Sequence, residues 1–294
     1  MKTDSPIVRR NKVAPRLLAR PIAIFDSGVG GLTVYRAVRA RLPNENLIYF
    51  GDTAHVPYGT RSPATVTRLV RAHADFLARR NVKCLVVACN TASAVALEVL
   101  RRRLPFPVIG VIDPGVRYAL SRTRNGRVGV VGTRTTIASG AYQRGLREGG
   151  HKIRVFPQAC PLFVPLAEEG WSDHEITRIA ARKYLSSLRK ARVDTVILGC
   201  THYPLMKRAI GSAMGRGVEL VDSAEVVAEE LARQLEKMHL VRKNGVRGSE
   251  TFFLTDTGGS FRSVAERFLG RPIGRMVKVR VTAIVSSGIS GGRQ

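Results

Sequence analysis

Two cysteines carry the best-placed chemistry in this sequence. Ala88-Cys89-Asn90-Thr91 closes one apolar, β-branched run, and Gly199-Cys200-Thr201-His202 closes another. In each, the thiol sits where a buried strand hands over to a helix, and ligands of open α/β sheets collect at such carboxyl strand ends. A helix N-terminus favours the thiolate, so these thiols are expected to ionise below the ordinary value of about 8.5. Redox pairs are usually close couples such as Cys-x-x-Cys, whereas these two stand 111 positions apart. That separation suits proton transfer at a carbon, in which one sulfur removes a proton from one face and the other delivers a proton to the opposite face. Two such strand ends facing each other across a domain interface would form one cleft with a thiol on each wall. Cys84, inside an apolar run, and Cys160, beside Pro161, read as small buried hydrophobes.

Further polar groups cluster at other strand ends. Asp26-Ser27 opens the glycine-rich stretch Gly28-Val29-Gly30-Gly31. That stretch lacks the Gly-x-Gly-x-x-Gly dinucleotide pattern and needs no ligand to explain it beyond a tight strand-to-helix turn. Ser27 offers a hydroxyl, and Asp26 can accept a proton or hold an ammonium; a helix N-cap accounts for either residue equally well. Asp52-Thr53 and Pro57-Tyr58-Gly59-Thr60 form a second loop whose N–H groups and hydroxyls suit a carboxylate. Asn90, Thr91 and Thr201 are similar donors beside the cysteines. His202 is the nearest imidazole partner for a thiol, and one of the Glu168-Glu169 pair, otherwise a solvated pair, is a candidate to hydrogen-bond it.

These residues need a scaffold. From Pro21 onward, strand-like runs at Ile22–Phe25, Leu47–Phe50, Leu85–Ala88 and Val108–Ile112 alternate with helical patterns at Leu32–Leu42, Pro63–Arg80 and Ala92–Arg103. The alternation resumes with strands at Val128–Val131, Ile153–Phe156, Thr195–Leu198 and Glu219–Val221, and helices at Ile176–Leu188 and Leu205–Met214. A helix at Ala224–Met238, a strand at Thr251–Leu254 and a helix near Phe261–Phe268 follow. Repeated βα units imply parallel sheets covered by helices. The expected division is a disordered basic extension over 1–20, one α/β domain built from 21–113 plus 224–294, and a second over 114–223. The first break is placed near Asp113-Pro114-Gly115.

The chain has 294 residues, 44% of them hydrophobic, enough for one large core or two modest ones. No apolar run is long enough to span a bilayer, and the first twenty residues do not read as a secretory signal. Four cysteines without zinc-site spacing read as reduced thiols in a cytoplasmic protein. Lys and Arg number 48 against 22 Asp and Glu, a net charge of +26. The arginines are scattered and not interleaved with aromatics, so a general preference for Arg explains the charge better than nucleic-acid binding does.

Taken together, the motifs resemble a known family. Phe25–Thr33, Asp52-Thr53 with Pro57-Tyr58-Gly59, Ala88–Ser93, Ala159-Cys160-Pro161 with Pro165-Leu166, and Leu198–Leu205 occur in the order seen in glutamate racemases of the cofactor-independent aspartate/glutamate racemase group. The resemblance runs from about Pro21 to Val281. It implies two flavodoxin-like domains with the active site in the cleft between them. It also implies Cys89 and Cys200 as acid and base, Cys89 acting on D-glutamate and Cys200 on L-glutamate, with Asp26, Glu168 and His202 assisting. Asp26, Ser27, Tyr58, Gly59, Asn90, Thr91, Thr201 and His202 would bind the substrate. No cofactor and no metal are implied, the product D-glutamate would feed peptidoglycan, and a homodimer is compatible with the family. His55 departs from the pattern, standing where Arg is expected.

Two alternatives stay open. An aspartate racemase would share both cysteines, although the full Gly199–Leu205 motif favours glutamate. A basic nucleic-acid-binding regulatory protein on the same scaffold would show strongly salt-dependent DNA binding. A pyridoxal-dependent racemase is disfavoured, because no lysine stands in a Schiff-base context.

Overall fold

The computed structural model describes residues 15–150 and 152–281. Among the described residues, ten strands are arranged in two sheets: β1 (Ile22–Asp26), β2 (Leu47–Gly51), β3 (Cys84–Val87), β4 (Val108–Gly110), β5 (Arg127–Gly132), β6 (Arg154–Ala159), β7 (Thr195–Gly199), β8 (Glu219–Asp222), β9 (Glu250–Leu254) and β10 (Met276–Lys278). The first sheet has the order β10-β9-β2-β1-β3-β4 and the second β6-β5-β7-β8. Every pairing is parallel, with Ile22 opposite Leu47 and Cys84, and Val128 opposite Val155 and Thr195. The central strands β1, β2, β3 and β7 are buried along their whole length, as expected of parallel strands covered on both faces.

The two sheets share a four-strand core of identical order, β2-β1-β3-β4 matching β6-β5-β7-β8. Strand order reverses beside β1 in one sheet and beside β5 in the other, and such reversals leave a crevice at the carboxyl ends. Cys89 follows β3 next to β1, and Cys200 follows β7 next to β5. The topology therefore gives the two thiols equivalent positions. Helix Ser223–Lys237 starts from an Asp222 cap, whose carboxylate accepts from the Ala224 N–H at 2.8 Å. It packs on Leu32–Arg41 from the first sheet's cover and on Ile112–Arg122.

Several elements differ from the sequence expectation. The run ending at Ile112 stops being a strand at Gly110, and Asp113-Pro114-Gly115 lies in the first turn of helix Ile112–Arg122. The first turn of a helix has no intrahelical use for its N–H groups, so Pro114 costs no hydrogen bond there. β6 runs on through Pro157, which an edge strand tolerates. Part of the extension expected to be disordered is ordered: Pro15–Leu18 is helical, and the Leu18 carbonyl accepts from Lys83 Nζ at 3.0 Å. Residues 1–14 and 282–294 lie outside the described residues. Among the described residues no helix is long and apolar enough to cross a membrane.

Candidate active site

The ends of β1, β3, β5 and β7 meet around one cavity of about 150 Å³. Cys89 and Cys200 both line it, each from its own sheet. Ser27, Tyr58 and Gly59 contribute from the first sheet's loops together with Asn90 and Thr91; Thr201, His202 and Glu168 contribute from the second. Close approach of the two halves is built into the glycine-rich turn. A Cβ on Gly30 would collide with the side chains of Thr201 and His202, and the Thr33 hydroxyl donates to the Thr201 carbonyl at 2.9 Å. Gly59 has a similar reason to be small, since its Cβ would meet Thr133 at 2.7 Å.

Each thiol has a different retinue. The Cys200 sulfur lies 3.8 Å from His202 Nδ1, and His202 Nε2 lies 2.8 Å from Glu168 Oε1. Burial alone would depress the imidazole, but hydrogen bonds to Cys200 and Glu168 outweigh it and raise the pKa to about 10. An imidazole raised this way contributes stability in full below its ordinary 6.5, and the contribution is lost as pH climbs past about 10. Glu168→Gln is therefore expected to move the NMR titration of the His202 ring downward. It should also flatten the alkaline fall in stability; an unmoved ring titration would remove Glu168 from the relay.

On the other wall, the Cys89 thiol donates to Ser27 Oγ at 3.5 Å. Its pKa is raised to about 12, chiefly by burial and then by the neighbouring Asp26 charge. The expected lowering is thus reversed. The N–H of Ala92 at the helix start does pull the value down, yet loss of water and a like charge outweigh it. Burial also raises the Asp26 carboxyl. Asp26, expected to touch the substrate, does not line the cavity. Its Oδ2 accepts from the Gly28 N–H at 2.9 Å, and its Oδ1 is buried with no partner.

Asn90 has its Oδ1 taken by the Tyr142 hydroxyl at 2.7 Å, while its buried Nδ2 has no acceptor. Buried donors without partners are rare in folded proteins, and this one belongs to a residue lining the cavity. Tyr58 is buried and commits its hydroxyl to Asp52 Oδ2 at 2.6 Å. Thr91 joins a cluster of hydroxyls with Thr133 at 3.0 Å and Thr136 at 3.1 Å. Thr133 and Arg134 also line the cavity, although no sequence motif marks them. Thr133 follows β5 as Ser27 follows β1, so the equivalence of the two strand orders could have pointed to it.

The geometry agrees with the comparisons to known proteins. The model of the Asp/Glu/Hydantoin racemase family matches residues 31–231. A glutamate racemase of Geobacter metallireducens is 53% identical over 264 residues, 90% of this chain and 98% of the relative. The crystal structure of a Francisella tularensis glutamate racemase in complex with D-glutamate superposes with a TM-score of 0.85 at 37% identity, covering 90% of this chain and 98% of that one. A Thermus thermophilus glutamate racemase structure gives 0.81 at 46% identity, covering 89% and 97%. With the fold, the motifs and these relatives in agreement, the chain belongs to the Asp/Glu/Hydantoin racemase family.

Proposed function

We propose that this chain interconverts L- and D-glutamate with two cysteine bases and no cofactor, and so is an isomerase. The observation that carries the reading is the pair of thiols, Cys89 and Cys200, brought from equivalent strand ends of two sheets to one cavity. For L-glutamate, Cys200 as thiolate takes the α-proton. The electron pair spreads into the α-carboxylate, and the Cys89 thiol protonates the opposite face of the carbon. The cycle ends with a thiol at Cys200 and a thiolate at Cys89, the form that accepts D-glutamate. Burial and Asp26 favour the protonated state of Cys89, the form that donates the proton in the L-to-D direction.

Carboxylate recognition falls to Asn90 Nδ2, a buried donor without a partner on a residue lining the cavity, with the hydroxyls of Ser27 and Thr201 and the backbone at Tyr58-Gly59 beside it. Fixed donors aimed at a carboxylate gain strength as charge develops on it. The reading includes a cytoplasmic location, where thiols stay reduced, and D-glutamate as a precursor of peptidoglycan. Glutamate is favoured over aspartate by the glutamate racemases at 45–53% identity.

The test is polarimetry on purified protein with L-glutamate and, in parallel, L-aspartate, after dialysis against a chelator and a carbonyl reagent. Glutamate should lose its rotation at an undiminished rate. Loss of activity restored by pyridoxal phosphate or a metal would overturn the cofactor-free mechanism, and faster racemisation of aspartate would overturn the substrate.

A further inference from the structure

A second group of ligand-type side chains lies outside the catalytic cavity. Asp52, at the end of β2, is fully buried, and its Oδ1 lies 2.8 Å from His55 Nδ1 and 3.6 Å from His73 Nε2. His73 comes from helix Pro63–Ala78 and is buried against the rings of Phe50 and Phe25, with centroids 4.9 and 5.8 Å away. Its Nδ1 has no hydrogen-bond partner, and 3.6 Å is too long for a hydrogen bond from Nε2. This imidazole would therefore break no strong bond in taking a ligand. The side chain of His55 is 45% exposed, so the cluster is open to solvent on one side.

One ligand atom from each of the three residues falls within 4.8 Å of the other two. Bonds of about 2.0–2.2 Å to a tetrahedral zinc ion place ligand atoms roughly 3.3 Å apart, between the two separations to Asp52. Two imidazoles with one carboxylate is a donor set for zinc-class cations rather than for calcium or magnesium.

We propose that Asp52, His55 and His73 form a binding site for a divalent transition-metal cation of the zinc class, with a fourth position open to water. The ion replaces the proton shared by His55 and Asp52 and ties the loop after β2 to helix Pro63–Ala78. The other Asp52 oxygen holds the Tyr58 hydroxyl, and Oδ1 also accepts from Thr255 at the end of β9 at 2.8 Å. A bound cation thus stiffens the loop carrying Tyr58 and Gly59 to the cavity without entering the chemistry. The site stands whether or not the cavity racemises glutamate.

Cobalt(II) is the probe, because its spectrum reports its ligands. The metal-free full chain carrying Cys89→Ser and Cys200→Ser, which removes the competing cavity thiols, should bind one equivalent of Co²⁺. Visible ligand-field bands and no sulfur-to-cobalt charge-transfer band are expected. Adding His55→Arg, a change at a half-exposed position, should weaken binding at least tenfold; the same change alone in the wild-type chain should leave metal-free racemisation unchanged. His73→Asn should weaken binding similarly. Absence of saturable binding, equal affinity in His55→Arg, or a charge-transfer band from a remaining thiol would each overturn the site.

Discussion

Cys89→Ala and Cys200→Ala should each bring glutamate racemisation down to background. Inversion requires a proton acceptor on one face of the α-carbon and a donor on the other, and each sheet supplies only one of the two thiols lining the cavity. Methyl in place of thiol removes one face outright, and burial at both positions argues against water filling the role. Cys→Ser keeps a weak hydroxyl donor and acceptor on that face while sparing the opposite thiol. A β-chlorinated glutamate then separates the faces, because eliminating HCl needs a single base. The base takes the α-proton, the new carbon–carbon double bond forms, and chloride leaves with the electrons of its bond. Cys89→Ser retains Cys200 and should eliminate from the L-analogue; Cys200→Ser should prefer the D-analogue. Chloride release measured for both enantiomers decides the matter. If both Ser variants prefer the same hand, the opposed-thiol arrangement is wrong even if the wild-type chain racemises glutamate.

How far the sequence discloses this site depends on how local each signal is. The strand-end positions of Cys89 and Cys200 are legible because an apolar β-branched run followed by helix-forming residues is a local pattern. Chemical type points to an acidic partner for His202 from the Glu168-Glu169 pair and the resemblance to Glu168, although nothing in the sequence sets the 2.8 Å contact. The proton affinity of Cys89 is another matter. Its helix start is visible in the sequence, but burial is a property of the assembled sheets, and burial wins. Helix Ile112–Arg122 escapes the sequence reading because Pro114 and Gly115, two poor helix formers, adjoin in it. Position within the first turn makes them harmless, and position is what composition does not reveal. Thr133 and Arg134 carry no motif at all; they reach the cavity only because β5 occupies in its sheet the place of β1 in the other. Asp52, His55 and His73 likewise come together through the packing of a helix on β2, at spacings that match no metal motif.

Asp26→Asn and His202→Asn should each slow turnover, typically by ~10²–10⁴-fold for lost acid–base assistance, and in opposite directional patterns. Asp26 influences Cys89, and His202 contacts Cys200. Enantiomers have equal free energies, so kcat/KM must fall equally for L- and D-glutamate in any variant. The asymmetry is confined to kcat and offset by KM. Asp26→Asn should lower kcat more for D-glutamate, where Cys89 is the base, and His202→Asn more for L-glutamate. A second readout isolates electrostatics from mere packing. The Asp26 charge helps to hold the Cys89 thiol at about 12, so its neutralisation must favour the thiolate and move the pH profile of Cys89 alkylation downward. The expected result for Asp26→Asn is a lower alkylation pKa together with slower turnover, because a sulfur that ionises more readily is a weaker base toward the α-proton. A variant with wild-type kcat in both directions and an unmoved alkylation profile would return Asp26 to the role of a turn residue capping the Gly28 N–H.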